Sequence, residues 1–444
     1  MPIFRRLLKS HQENPTINQP GPTYKPTPSN NQTTGVDNST KPPKVFSSFR
    51  YRNYQLWFGG QLVSVIGTWM QSIALGWLVY QISHSEFMLG MVGFASAIPV
   101  LIVSPWGGVI TDIVPKRTLL VITQSSAMVL AFILAALTFS NSIQVWHILV
   151  LAALLGVVNA FDAPARQAFV VDMVGREDMV NAIALNSMML NGARVIGPAL
   201  GGYLLAWLGS SWCFLINGIS FIAVIASLLA MSVPPHKALN RLENPLRQFV
   251  EGMRYSKQEP EILGVLLMAV FFSVFGMAYA ALLPAFVDQV LHADASRYGA
   301  INAMIGAGAV IAALFIANFA NTKQRGRLMV AASLIYPFLL AAFAFNTNFP
   351  LALLLSFSIG FGFMIQANSM NSMLQLKVQD NMRGRVMGLY TLCFFGLTPF
   401  GSLAAGTAAE YLPLNLTVAL TALIMLIGSL FVLWRIPEIR KIHV

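Results

Sequence analysis

Runs of about 20 apolar residues recur along this chain, the length an α-helix needs to cross roughly 30 Å of hydrocarbon. Inside a bilayer every backbone N–H and C=O must be satisfied within the protein, so spans are helices or strands of a closed barrel. Runs this long select helices. Composition agrees: of 444 residues, 56% are hydrophobic and 10% charged, with mean hydropathy +0.65. Soluble domains carry about 25% charged residues, so most of this surface cannot face water. The chain reads as an all-α polytopic membrane protein.

Twelve apolar segments lie near 54–81, 87–111, 118–139, 143–165, 181–207, 211–233, 262–287, 297–320, 328–346, 350–374, 386–409 and 413–434. A polar stretch at 234–261 divides them six and six, which predicts two pseudo-symmetric six-helix bundles, 49–233 and 262–435, joined by a cytoplasmic linker. Charge placement tests the count. With the N-terminus in the cytoplasm, the inner segments hold 26 of the 28 Lys and Arg. The outer loops hold only Arg297, and Arg194 falls inside the fifth span. Basic residues stay on the cytoplasmic side of short loops, so both termini are expected there, in a cell (inner) membrane. A missed span would scramble the alternation.

Residues 1–48 hold eight prolines and many Asn, Thr and Ser, and read as a disordered cytoplasmic tail without a signal-length apolar core. A short cytoplasmic tail, 436–444, follows the last span. The net charge of +11 lies in inter-span loops rather than in basic stripes with stacking aromatics, which excludes a nucleic-acid partner. Cys213 and Cys393 are far apart, and the six histidines are scattered, so no disulfide framework, metal site or cofactor is expected. No phosphate-cradling G-x-x-x-x-G-K-[S/T] occurs, so ATP is not the direct energy source.

Three motifs carry more. Gly108-x-x-x-Asp112-x-x-x-Lys116-Arg117 links spans two and three, with a degraded copy at 317–327 in the second half. It resembles the loop signature of the major facilitator superfamily, with Ile113 and Pro115 where that signature has a basic residue and a glycine. The resemblance implies a cytoplasmic gate at Gly108, Asp112, Lys116 and Arg117; ordinary positive-inside charge is the plainer reading. In span five, Gly197-Pro198-Ala-Leu-Gly201-Gly202 resembles the helix-kink signature of exporters in that superfamily. Pro198 removes a backbone donor, and glycines allow close helix contact. Asn159-Ala-Phe-Asp162-Ala-Pro-Ala-Arg166-Gln, the stretch from Gly175 to Ser187, and Arg383-Gly-Arg-Val-Met-Gly388 are similar to the transmembrane secretion effector branch, which includes enterobactin-exporter-like and macrolide-efflux-like proteins. By position Asp162 and Arg166 join the gate. Proton-coupled members often carry an arginine shortly before a glycine in span four; here Leu151–Leu155 before Gly156 is apolar.

Polar residues within spans are costly and mark function or helix contacts. Gln61, Ser64, Thr68 and Gln71 fall on one stripe of span one, Asn191 and Arg194 on one of span five, Asn159 on span four, and Gln366 and Asn368 on span ten. Two readings stand: glue between helices, or the lining of a substrate cavity. The reading as a whole is a monomeric secondary exporter of a small, partly apolar organic compound, siderophore or drug-like. Protons are the expected coupling ion and the bilayer its surroundings. The alternatives are a non-transporting scaffold or receptor and a lipid-modifying membrane enzyme, for which no residue cluster is apparent.

Overall fold

A computed structural model describes residues 46–175, 177–232, 245–319 and 322–441. Fifteen α-helices build it, and none of the described residues is in a strand. The first six are α1 (Arg52–Ser83), α2 (Glu86–Ile113), α3 (Lys116–Phe139), α4 (Val145–Asp172), α5 (Met179–Leu208) and α6 (Ser210–Ala230). A short helix, α7 (Pro245–Gln258), precedes α8 (Pro260–Phe271), α9 (Tyr279–Gln289), α10 (Ala295–Phe319), α11 (Thr322–Ala344) and α12 (Phe349–Lys377). The last are α13 (Arg383–Thr391), α14 (Thr398–Ala409) and α15 (Leu414–Arg435).

The pairs α8–α9 and α13–α14 are single spans, each interrupted by a five-residue π-helical turn, Phe272–Gly276 and Leu392–Gly396. Such turns insert one extra residue into a helix and re-aim the side chains around them. Spans seven and eleven therefore make twelve with the rest. Eleven are long and apolar enough to cross a membrane by themselves. The twelfth, α5, is 30 residues long, but Asn186, Asn191, Arg194 and its glycines lower its hydropathy. A helix like this is stable in a bilayer when its neighbours cover its polar face.

Local chemistry sets the ends. Ser85 caps α2 by accepting from Met88 N, and Asn348 caps α12 by accepting from Leu351 N. His84, Asn141 and His292 adopt left-handed φ of 47°, 52° and 48° at turns that end α1, α3 and α9. In the first half, α1 packs on α5 and α6, α3 on α4 and α6, and α2 on α4. In the second, α12 packs on α10 and α11, and α15 on α8 and α11. The halves meet along α5–α10 and α2–α14.

Two segments outside the spans are built in. Ser47–Arg50 forms a single 3₁₀ turn whose buried Ser48 donates to Asn181 Oδ1 at 2.8 Å. Within the polar stretch between the halves, α7 lies against α13 through Gly252, with Arg385 paired to Glu251 at 3.0 Å. The tail at 1–45 and the linker residues 233–244 lie outside the described residues.

Candidate substrate site and gate

Arg194 lies half-way along α5, where the glycine–proline motif presses that helix against both halves. A Cβ on Gly197 would stand 2.5 Å from Trp69 Cβ, and one on Gly201 3.0 Å from Met70 Cα, so both glycines face α1. Gly202 faces the opposite way, where a Cβ would meet Gly299 Cα of α10 at 2.5 Å. Pro198 has no N–H, so the carbonyl four residues earlier loses its helical donor. That carbonyl belongs to Arg194. Gly306 of α10 abuts it: a Cβ there would lie 2.6 Å from Arg194 O. The kink motif thus lets α5 touch the second half at the residue that carries the charge.

The guanidinium makes no ion pair and no hydrogen bond with any described residue. Its carbon lies over the Trp69 ring at 5.3 Å and the Phe363 ring at 5.1 Å, one from each half. The ionisable side chains near enough to feel its charge are the phenols Tyr279 and Tyr336. Phe363 belongs to an aromatic cluster with Phe272 and Phe394, 5.8 and 6.1 Å away, which the two π-helical turns bring together. Cation–π contacts contribute from about 0.5 to 2 kcal/mol each, comparable with the roughly 2.5–3.5 kcal/mol that insertion scales assign to a mid-span arginine. The rings make the charge tolerable without neutralising it.

The other polar positions divide. Gln71 is buried and accepts from Asn217 Nδ2 at 2.8 Å; Ser64 and Gln61 are buried too, Gln61 Nε2 without a partner. Gln366 is 1% exposed and exchanges hydrogen bonds with Ser333 of α11 at 2.9 and 3.2 Å. In this structure Gln71 and Gln366 bond neighbouring helices of their own half. The period of a helix gives glue and lining the same spacing. Thr68 and Asn159 remain exposed, and Asn191 and Asn368 half-buried. Asn191 Nδ2 donates to Ser187 O rather than towards Arg194.

Asp162 is buried under four donors. Arg166 Nε reaches its Oδ2 at 3.1 Å and Nη2 the same oxygen, while Thr123 and Gln124 donate to Oδ1 at 2.8 and 2.7 Å. This network ties α4 to α3 within one half. Lys116 pairs with Asp172 at 2.6 Å, and Arg117 donates to Leu229 O at 2.7 Å, again within the first half. None of these described contacts crosses between halves in this conformer. The surroundings of Gly108 and Asp112 lie outside the described residues.

Polar contacts between the halves gather instead at the end that carries the α1–α2 turn. Gln289 Nε2 donates to Tyr80 Oη at 2.8 Å and Glu86 Oε1 at 2.6 Å, and Tyr80 Oη donates to Asp288 Oδ2 at 3.3 Å. Glu410 accepts from Phe87 N at 3.1 Å and from the Ser85 hydroxyl. Its carboxylate so covers the N-terminus of α2, where the helix dipole favours negative charge. Trp77 stacks on Tyr298 at 5.6 Å beneath these contacts. Sequence reasoning missed this set. The signal available was that Glu86, Asp288 and Glu410 flank short loops with hardly a basic residue.

A profile of the transmembrane secretion effector family matches residues 44–443. The chain belongs to this family. Among curated relatives of this transmembrane secretion effector, the staphyloferrin A transporter of Staphylococcus aureus is 28% identical over 80% of this chain and 88% of that protein. The multidrug efflux pump Tap of Mycolicibacterium fortuitum is 24% identical over 86% and 95%, and the enterobactin exporter EntS of Shigella flexneri 26% over 75% and 79%. A bacterial homologue of the lysosomal transporter Spinster, solved inward-facing and unoccupied, superposes with a TM-score of 0.62 at 15% identity, over 88% of this chain and 98% of that one. That likeness concerns the fold alone. The chain is a multi-pass major facilitator transporter of small molecules, not an enzyme.

Proposed function

We propose that this protein exports a small, partly apolar organic compound, a siderophore or a drug-like molecule, from the cytoplasm by alternating access. The observation that carries the reading is the one-sided closure. Polar contacts between halves join the α1–α2 end, while the described ion pairs at the other end stay within a half or join the second half to its linker helix. With both termini cytoplasmic, as the basic loops require, the closed end is the outer one and this conformer receives cargo from inside. Rocking of the halves about α5–α10 and α2–α14 then presents the site to the outside. The relatives that move staphyloferrin A, enterobactin and drugs support this cargo range.

The proposed coupling ion is the proton, and the proposed unit the monomer in the inner membrane. Asp162 is held by Arg166, Thr123 and Gln124 and is a structural acid in this scheme. Proteoliposomes loaded with a fluorescent drug or a catecholate and given a pH gradient test the reading. Gradient-dependent efflux that vanishes without protein is expected; efflux indifferent to the gradient defeats the coupling, and no efflux defeats the exporter.

A further inference from the structure

Arg194 is the feature that neither the fold nor the gate accounts for. A guanidinium offers five N–H donors in a planar fork. In this protein none of them meets a described acceptor, although the residue is not fully buried. Its two described neighbours of opposite electrostatic character are ring faces, Trp69 and Phe363, not carboxylates. The buried in-span acid, Asp162, has its oxygens filled by other donors. Of the nearby phenols, Tyr336 spends its proton on Gly276 O at 3.1 Å.

Resting on the exporter reading, we propose that Arg194 is the cargo-binding cation, and that the cargo class is a planar anion on an aromatic or otherwise apolar body: a carboxylate or a catecholate. Three features select this chemistry. The fork matches two coplanar oxygens bidentately, which a point-charge ammonium does not. The charge lacks a counter-ion in surroundings of low dielectric, where an unpaired ion is costly and an arriving anion correspondingly favoured. The walls beside it are Trp69, Phe363 and, behind them, Phe272 and Phe394, which suit a flat apolar body rather than a hydrated polyol. Because Trp69 belongs to α1 and Phe363 to α12, an anion seated on Arg194 touches both halves at once and reports occupancy to the interface between them.

The test uses the full chain in proteoliposomes with matched probes: salicylate, its neutral isostere salicylamide, and the cation ethidium. Wild-type protein is expected to move salicylate with a half-saturating concentration at least tenfold below that for salicylamide, and to discriminate against ethidium. Arg194→Gln should raise the salicylate value by tenfold or more and erase the discrimination. Arg194→Lys should retain the preference for the anion with weaker saturation, because charge persists while the fork is lost. Equal handling of acid and amide by the wild type overturns the proposal and leaves the exporter intact, and that comparison stands even if Arg194→Gln fails to fold. Transport of none of the three probes under either a pH gradient or a potential overturns the exporter reading, and the anion site with it.

Discussion

At the residue scale, the chemistry of single side chains depends on who fills their hydrogen bonds. Asp162 and Arg194 are both in-span charges, yet the structure spends one on helix contacts and leaves the other open. Asp162→Asn should destabilise the first half, by up to about 3–5 kcal/mol for a fully buried pair and less here because Arg166 partly reaches water. Thermal unfolding in detergent measures it, and an unaffected midpoint would release Asp162 for a gating role. At the membrane surface, Asp178 behaves as a pH-dependent anchor. The Ser47 hydroxyl foremost, with Tyr51 and the Arg50 guanidinium 2.5 Å away, holds its carboxyl below the usual range. A lowered folded value means that this contribution is present above the unfolded pKa of about 3.9 and disappears as pH falls through the folded value. The stability gap between wild type and Asp178→Asn should therefore be open at pH 7 and close on acidification below about pH 4. A gap that does not change with pH would contradict the anchor.

At the element scale, α5 decides how the halves meet. Its own hydropathy is too low to make it a confident span, and its partners compensate by covering it: α1 through Gly197 and Gly201, α10 through Gly202 and Gly306. Small residues at such crossings let backbones approach where no hydrophobic force acts between helices. Gly306→Ala places a methyl group against the carbonyl that Pro198 leaves unbonded. Overpacking of this kind costs about 1–3 kcal/mol. A lowered unfolding midpoint together with reduced efflux is the expected result; wild-type values of both would show slack in the α5–α10 contact. The π-helical turns in spans seven and eleven act at the same scale, since without them Phe272 and Phe394 would not gather behind Phe363.

At the scale of the whole molecule, the polar contacts between the halves gather at one end. Glu410 reaches from the second half to the N-terminus of α2, and Gln289 from the second half to Tyr80 and Glu86. Glu410→Gln should weaken that closure by about 1.5 kcal/mol, the lower end for a charged hydrogen bond, which is roughly tenfold in the equilibrium. A cysteine in place of Thr68 should then react about tenfold faster with an impermeant maleimide applied outside. An unchanged rate would remove Glu410 from the gate. Orientation is tested in the same way after replacing Cys213 and Cys393: a cysteine at Asp294 should label from outside intact cells, and one at Lys257 should not. The reverse pattern would invert the direction of export.

What the sequence determined by itself is everything that depends on one stretch of chain at a time. A run of about 20 apolar residues must hydrogen-bond its own backbone to leave water, whatever lies beside it, so the helical class and the twelve spans were legible without neighbours. The family was legible in the loop and span-five motifs for the same reason. The assignment of polar stripes was not. Gln366 finds Ser333 of another helix, Gln71 finds Asn217, and Glu410 meets Ser85 across 325 residues. Those pairings follow from the rotation of each helix about its axis and from how deeply one half slides against the other. The 3.6-residue period presents glue and cavity lining alike, so only the packed structure could decide that Arg194 stays open between Trp69 and Phe363 while its neighbours in the pattern are spent on holding helices together.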